Sequence, residues 1–308
     1  MGKLRDWFTE EAREEEPAWV KRVANVVVIN SFGREGEAEF GQRYAPNWKL
    51  RVANLVIGLV QLVTAVIIFG ITDSDARWPW YTFFPFNLDP EENREQFSVP
   101  DPHRVGNIPV GYYSGIFLFL SFLDHLLVSL PCGPWQVYRY WVSRNQNHFR
   151  WLEYSLSASL MHVMIAQVSG VTDVHLLFAI FGLTAATMFY GALHEILNAS
   201  RFGKDSKQVP RTWFAFVAGC VPHTFAWLVI VCYFFQAVSN AEEVPGFVWA
   251  IIFILFFTDA LFAVALWLQW LEVWIWRDYV GGELTFMLLS LTSKQLLAWI
   301  NFGGSQRA

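Results

Sequence analysis

This chain has few cysteines, little charge and no concentrated basic surface, and each shortage removes a class of protein. Cys132, Cys220 and Cys232 are odd in number and none sits in a long exterior loop, so they read as small apolar side chains rather than a disulfide frame. Charged residues make up 16% of the 308, and the basic ones gather on no single face, which excludes nucleic acid as a partner. Lys3 and Arg5 lead into a run of acids instead of an apolar core, so no cleavable signal peptide is expected, and Gly2 lacks the Ser or Thr that myristoylation prefers. Nothing resembles a hydrolase triad, a phosphate loop or a spaced Cys/His metal site, and no enzyme activity is expected.

What is present is apolar. Hydrophobic residues make up 54% of the chain, with 28 Phe and 16 Trp, too much for an ordinary soluble domain. Spans of about 20 apolar residues cross a bilayer as helices. Seven can be read: Leu50 to Ile71, Val110 to Leu130, a third ending near Val168, His175 to Leu197, Trp213 to Ala237, Phe247 to Trp270, and Leu284 to Phe302. The expected fold is an all-α membrane protein, a seven-helix bundle over residues 50–302. Residues 1–49 form a cytosolic, partly amphipathic extension, with Trp7, Phe8, Trp19 and Val26 to Ile29 able to touch the membrane surface. Residues 72–109 form a long loop, too long for a simple connection and suited to a short β-hairpin, and 303–308 a short tail. The acids behind the net charge of -5 collect in the extension (Glu10, Glu11, Glu14, Glu15, Glu16) and in this loop (Asp89, Glu91, Glu92, Glu95).

Basic residues sort by side. One set of connections holds Arg43, Lys49, Arg51, Arg139, Arg144, Arg201, Lys204, Lys207, Arg211 and Arg277, the other only Arg77, Arg94, Arg104 and Arg307. The positive-inside bias then puts the N-terminus in the cytoplasm and the C-terminus outside.

Lys294 interrupts the last span about eleven residues past Glu283, roughly 16 Å along a helix and close to mid-bilayer. An ionisable group at that depth points to function. Glu153 is the one acid in the third span. For it to lie level with Lys294 the third helix must start about eleven residues earlier, near Val142, which makes Ser143 to His148 helical. Glu153, Ser157 and Met161 recur every four residues on one face, as do Ser290 and Lys294. A desolvated lysine is nucleophilic enough to form an imine with an aldehyde, and a protonated imine needs a counterion such as Glu153. A structural ion pair between helices is the plainer alternative.

The strings Asn145-Gln-Asn-His-Phe-Arg-Trp-Leu-Glu-Tyr-Ser-Leu-Ser-Ala-Ser159, Pro245-Gly-Phe-Val248 and Ser290-Leu-Thr-Ser-Lys-Gln-Leu-Leu-Ala-Trp299 resemble the heliorhodopsin family of retinal proteins. The similarity runs from about Asn54 to Phe302. It implies all-trans retinal bound as a protonated Schiff base, a rhodopsin-like bundle with the N-terminus inside, and a homodimer. It implies Lys294 as the retinal lysine, Glu153 as counterion, Ser290 as a hydrogen-bonding neighbour beside Ser157, and Arg150 as a neighbour of the counterion. Met161, Phe262, Gln269 and Trp299 match positions at or near the retinal pocket. His223 stands where an aromatic tryptophan of the pocket is expected, Gln61 where the first span usually carries histidine, and His125 keeps the second-span histidine. Asp124 and Asp259 replace apolar or uncharged residues.

Asp124 and Asp259 lie about 14 residues from the outer ends of their spans, roughly 20 Å deep and slightly to the cytoplasmic side of Lys294. With His125, Glu195 and Gln61 they form a candidate proton relay through the inner half. No metal is expected, since His125 is the best single seed and three or four ligands must converge. The leading reading is a light-sensing photoreceptor with a slow photocycle read by a cytoplasmic signalling partner. The alternative is light-driven or light-gated proton transport through the added acids. The Gly111-Tyr-Tyr-Ser-Gly115 spacing allows close helix approach and is a weak signal for the dimer.

Overall fold

The computed structural model describes residues 2–11, 17–27, 44–83, 101–131, 133–204 and 206–305. Glu14 to Glu16, Val28 and Ile29, Arg43, the acids from Asp89 to Glu95, Cys132 and Arg307 lie outside the described residues. Ten α-helices are described: α1 (Gly2–Phe8), α2 (Ala18–Val27), α3 (Trp48–Ile71), α4 (Val110–Leu127), α5 (Pro134–Val142), α6 (His148–Val168), α7 (Val174–Asn198), α8 (Phe214–Asn240), α9 (Gly246–Trp270) and α10 (Tyr279–Ser305). Five of them, α3, α4, α7, α8 and α9, are long and apolar enough to cross a membrane.

Their side chains sort as a bilayer requires. The α3 residues Leu55, Val56, Leu59, Val63 and Val66 are exposed, while Asn54, Gly58, Gln61 and Thr64 on the same helix are buried. In water that arrangement would waste apolar burial and leave a large greasy patch. In lipid the apolar face is solvated and the polar stripe finds partners inside the bundle. The polar α6 and α10 fit the same logic, because they are the helices most enclosed by the others: α6 packs against α4, α7, α8 and α9, and α10 against α3, α4 and α9.

The third helix corrects the expected start near Val142. The polar run is not helical: α5 ends at Val142, the chain turns through Ser143 to Gln146 with Asn145 at φ 59, and α6 begins at His148. The cause is local. Asn147 caps α6, its side chain accepting from Arg150 N at 3.1 Å, while Asn145 takes the left-handed conformation that asparagine tolerates. The helix α10 starts at Tyr279, five residues before the expected Leu284, and so draws Glu283 into the core at 2% exposure.

In the long loop, β3 (Arg77–Thr82) and β4 (His103–Pro109) pair antiparallel, with a register shift between Trp80 and Tyr81. At the other end β1 (Thr9–Glu11) pairs with β2 (Tyr44–Pro46), and Asn47 both caps α3 and donates to Trp7 O at 2.9 Å. The glycine pair of α4 is consumed inside the chain: a Cβ on Gly111 would meet Thr72 Oγ1 at 2.1 Å and one on Gly115 would meet Phe69 at 2.5 Å. It joins α4 to α3 and lends the expected dimer no support.

Candidate functional site: a buried lysine in an apolar cavity

Lys294 is 3% exposed and its ammonium is fully used: Nζ donates to Glu153 Oε1 at 2.7 Å, Ser290 Oγ at 2.9 Å and Ser121 Oγ at 3.2 Å. The Tyr154 ring lies 5.2 Å from Nζ. Three acceptors match three N–H groups, which is how a charge survives without water. Ser290 is one turn back on α10, Glu153 comes from the first turns of α6, and Ser121 comes from α4 and was missed by sequence reading. A lone serine in an apolar helix gives no signal, because it ordinarily satisfies itself on the carbonyl four residues back.

Beside this amine lies a partly open apolar cavity bounded by α6, α7, α8, α9 and α10. Met161, Phe262 and His223 line it, together with Trp151, Tyr154 and Ser157, whose hydroxyl, expected to hydrogen-bond near the amine, has no partner among the described residues. Gly191 makes room for Trp151, since a Cβ there would sit 2.3 Å from its ring. Two residues expected at or near the retinal pocket do not line this cavity. Gln269 is fully buried at the end of α9 against Gly282, outside the lining of the cavity, and its amide atoms have no partner. Trp299 is 43% exposed and donates to Gln295 Oε1 at 3.2 Å, facing away. Both lie on the right helices, one end too far along.

Below the lysine, toward the start of α6, a second and polar chamber is lined by Asn54, Asp124, His125, Tyr138, Asn147, Arg150, Glu153 and Glu283. Arg150 was expected beside the counterion; its guanidinium instead pairs with Glu195 and with Glu283 Oε2, the latter at 2.7 Å. Glu195 also accepts from Trp151 Nε1 at 2.7 Å, Tyr279 OH at 3.0 Å and Asn147 N at 3.1 Å. Tyr138 OH donates to Glu283 at 3.3 Å, and Asn147 Nδ2 donates to it as well. Two acids on one arginine leave a net negative network, tolerable here because nearly every oxygen has a donor.

The candidate relay is not one chain. His125 Nδ1 pairs with Asn54 Oδ1 at 2.8 Å, Gln61 accepts from Gln295 Nε2 at 3.3 Å, and Glu195 belongs to the arginine network. Only Asp124 and His125 share the chamber of Glu153. Asp259 is displaced from its expected depth. Its Oδ2 lies 3.0 Å from Nε2 of His162, nine residues beyond Glu153 on α6, so it sits roughly 13 Å further toward the C-terminal end of that helix.

A family model described as Heliorhodopsin matches residues 50–306. The chain belongs to the heliorhodopsin family. It is accordingly a membrane rhodopsin of a retinal-binding, light-responsive family, embedded in a lipid bilayer. Comparison with curated proteins gives no match. The heliorhodopsin match covers α3 from Leu50 onward and every helix from α4 to α10, and hence both the amine and the cavity. The residues present fit retinal: one buried primary amine opens on an apolar cavity lined by aromatic and Met side chains.

Proposed function

We propose that this heliorhodopsin is a light-sensing photoreceptor that carries all-trans retinal on Lys294 and passes a slow conformational change to a signalling partner in the cytoplasm. The observation that carries this reading is the placement of Lys294 Nζ: buried, 2.7 Å from one carboxylate, and open on the apolar cavity. The Lys294 amine would hold the retinal aldehyde, with loss of one water, and the bound group would supply visible absorption and light-driven isomerisation. Glu153 Oε1 would hold the single proton left on the lysine nitrogen, with the hydroxyls of Ser290 and Ser121 as its polar neighbours. Met161, Phe262 and Tyr154 confine the cavity, so that a change of shape inside it is felt by α6 and α9 instead of being absorbed by lipid.

The loop charges support an N-terminus in the cytoplasm, which puts the Arg150 network on the cytoplasmic side of Lys294, between the cavity and the partner. Separate partners for Glu195, Gln61 and Asp259 support sensing over transport, which needs a continuous line of proton carriers. The test is expression with all-trans retinal, a visible spectrum, and a photocurrent recording. A visible band that Lys294→Ala abolishes, with no photocurrent, is the expected result. A colourless protein, or colour that survives Lys294→Ala, overturns the reading, and a pH-dependent photocurrent replaces sensing with transport.

A further inference from the structure

The far wall of the cavity holds a charge site that neither the lysine nor the arginine network uses. His162, 3% exposed at its side chain, places Nδ1 3.0 Å from Ala158 O and Nε2 3.0 Å from Asp259 Oδ2. A backbone carbonyl can only accept, so Nδ1 carries a hydrogen. In a neutral imidazole that leaves a bare lone pair on Nε2, with a carboxylate oxygen 3.0 Å away. A lone pair and a carboxylate at that distance repel, and a cation taken up by the pair relieves the repulsion.

Trp227 Nε1 also donates to Asp259 Oδ2, at 3.2 Å, which favours the ionised carboxylate. From α8, His223 brings a ring nitrogen within 4.8 Å of the ligand atoms of both His162 and Asp259. The neighbouring elements add Thr187 from α7, Cys220 from α8 and Lys294 from α10 to the same cavity. The cation is either a proton or a divalent metal. One proton on Asp259, His162 and His223 leaves the group neutral, whereas a divalent ion leaves it with a net positive charge in an apolar wall, and the low dielectric there favours the neutral state.

We propose that His162, Asp259 and His223 form a proton-binding site in the wall of the retinal cavity, holding an imidazolium–carboxylate pair that sets the colour of the pigment. This rests on retinal occupying the cavity. Excitation moves positive charge of the chromophore away from the lysine nitrogen, so a charge pair beside the rest of the cavity changes the excitation energy. Glu153 acts at the nitrogen; this pair acts at a distance from it.

The test uses the full chain labelled with ¹⁵N-histidine in lipid bilayers, with and without retinal. The expected spectrum near neutral pH contains one histidine ring with both nitrogens protonated, lost in Asp259→Asn and kept in Asp259→Glu. With retinal, Asp259→Asn displaces the visible maximum and Asp259→Glu restores it toward the parent value. Seven neutral histidines, a maximum unmoved by Asp259→Asn, or stoichiometric zinc in the purified protein each overturn the proposal. The doubly protonated ring is read without retinal, so a failure of pigment formation, which would sink the photoreceptor reading, is distinguishable from a failure of this site.

Discussion

Replacing Glu153 by Gln keeps the size and planarity of the side chain and removes one charge at 2.7 Å from Lys294 Nζ. At an effective dielectric of about 20, two unit charges at that separation attract by roughly 6 kcal/mol. Burial of both partners takes part of this back, and breaking a buried pair costs about 3–5 kcal/mol. The protonated nitrogen is the form that loses its partner, so the proton leaves more readily and the visible band gives way to an ultraviolet form at lower pH. At about 1.4 kcal/mol per tenfold change, the midpoint of that colour loss falls by about 2–4 pH units. The single N–H left on the nitrogen can turn to Ser290 Oγ or Ser121 Oγ, which favours the low end of the range. Titration of the visible band of the retinal-loaded protein reads the midpoint directly. A midpoint that moves by less than about half a unit, or moves upward, refutes the ion-pair reasoning. So does a larger effect from Ser121→Ala, since one hydrogen bond to a charged group is worth only about 1.5–3 kcal/mol.

Arg150→Gln leaves Glu195 and Glu283 facing each other without their shared cation, and should cost about 3–5 kcal/mol, seen as a marked loss of thermal half-life of the pigment; the triple change to Met with both acids made Gln should cost far less. Gly191→Ala drives a methyl group into Trp151 and should cost about 1–3 kcal/mol in stability while moving the absorption maximum, because that ring lines the cavity. Gln269→Leu removes a buried amide without a partner among the described residues, and should leave the colour unchanged with stability equal or higher, by about 1 kcal/mol in thermal bleaching assays. Trp299→Phe, on an exposed ring outside the cavity, should leave the spectrum untouched.

The central pair was legible because hydrocarbon leaves a charged residue so few options. A lysine in the middle of an apolar run must find an acid, and the third span offered one. The surrounding network was illegible for the same reason in reverse. Arg150 and Glu283 lie near the ends of their helices, where water is an equally good partner, and nothing in the local pattern says that α5 and the turn at Asn145 cover that end of the bundle. Taking Glu283 as the surface edge of the last span hid an acid that is 2% exposed. One signal was available. Asn147, three residues before Arg150, is a helix-capping residue, and a cap there means that α6 starts late.

That late start explains how Glu153 reaches the lysine without the helix extension expected from residue counting. Equal depth was sought by matching distances from the two helix starts, which holds only if both helices begin in the same plane. They do not: Glu153 is five residues into α6 and Lys294 fifteen into α10, yet their side chains touch. The offset of about ten residues, roughly 15 Å, is filled by α5 and its turn, lying beneath the start of α6. The same offset makes the polar chamber, because a helix that begins inside the bundle leaves its capping and first-turn groups, Asn147 and Arg150, facing the core, where Glu195 and Glu283 bond to them. The lysine therefore lies between two different solvents: a polar chamber on the α5 side, where its charge is balanced, and an apolar cavity on the other, where a hydrophobic ligand belongs. Filling that chamber by lengthening α6 toward α5, for example with helix-forming residues in place of Asn145 and Asn147, should remove the Asn147 amide that donates to Glu283 and lower the thermal half-life of the pigment, even though the lysine and its counterion are untouched.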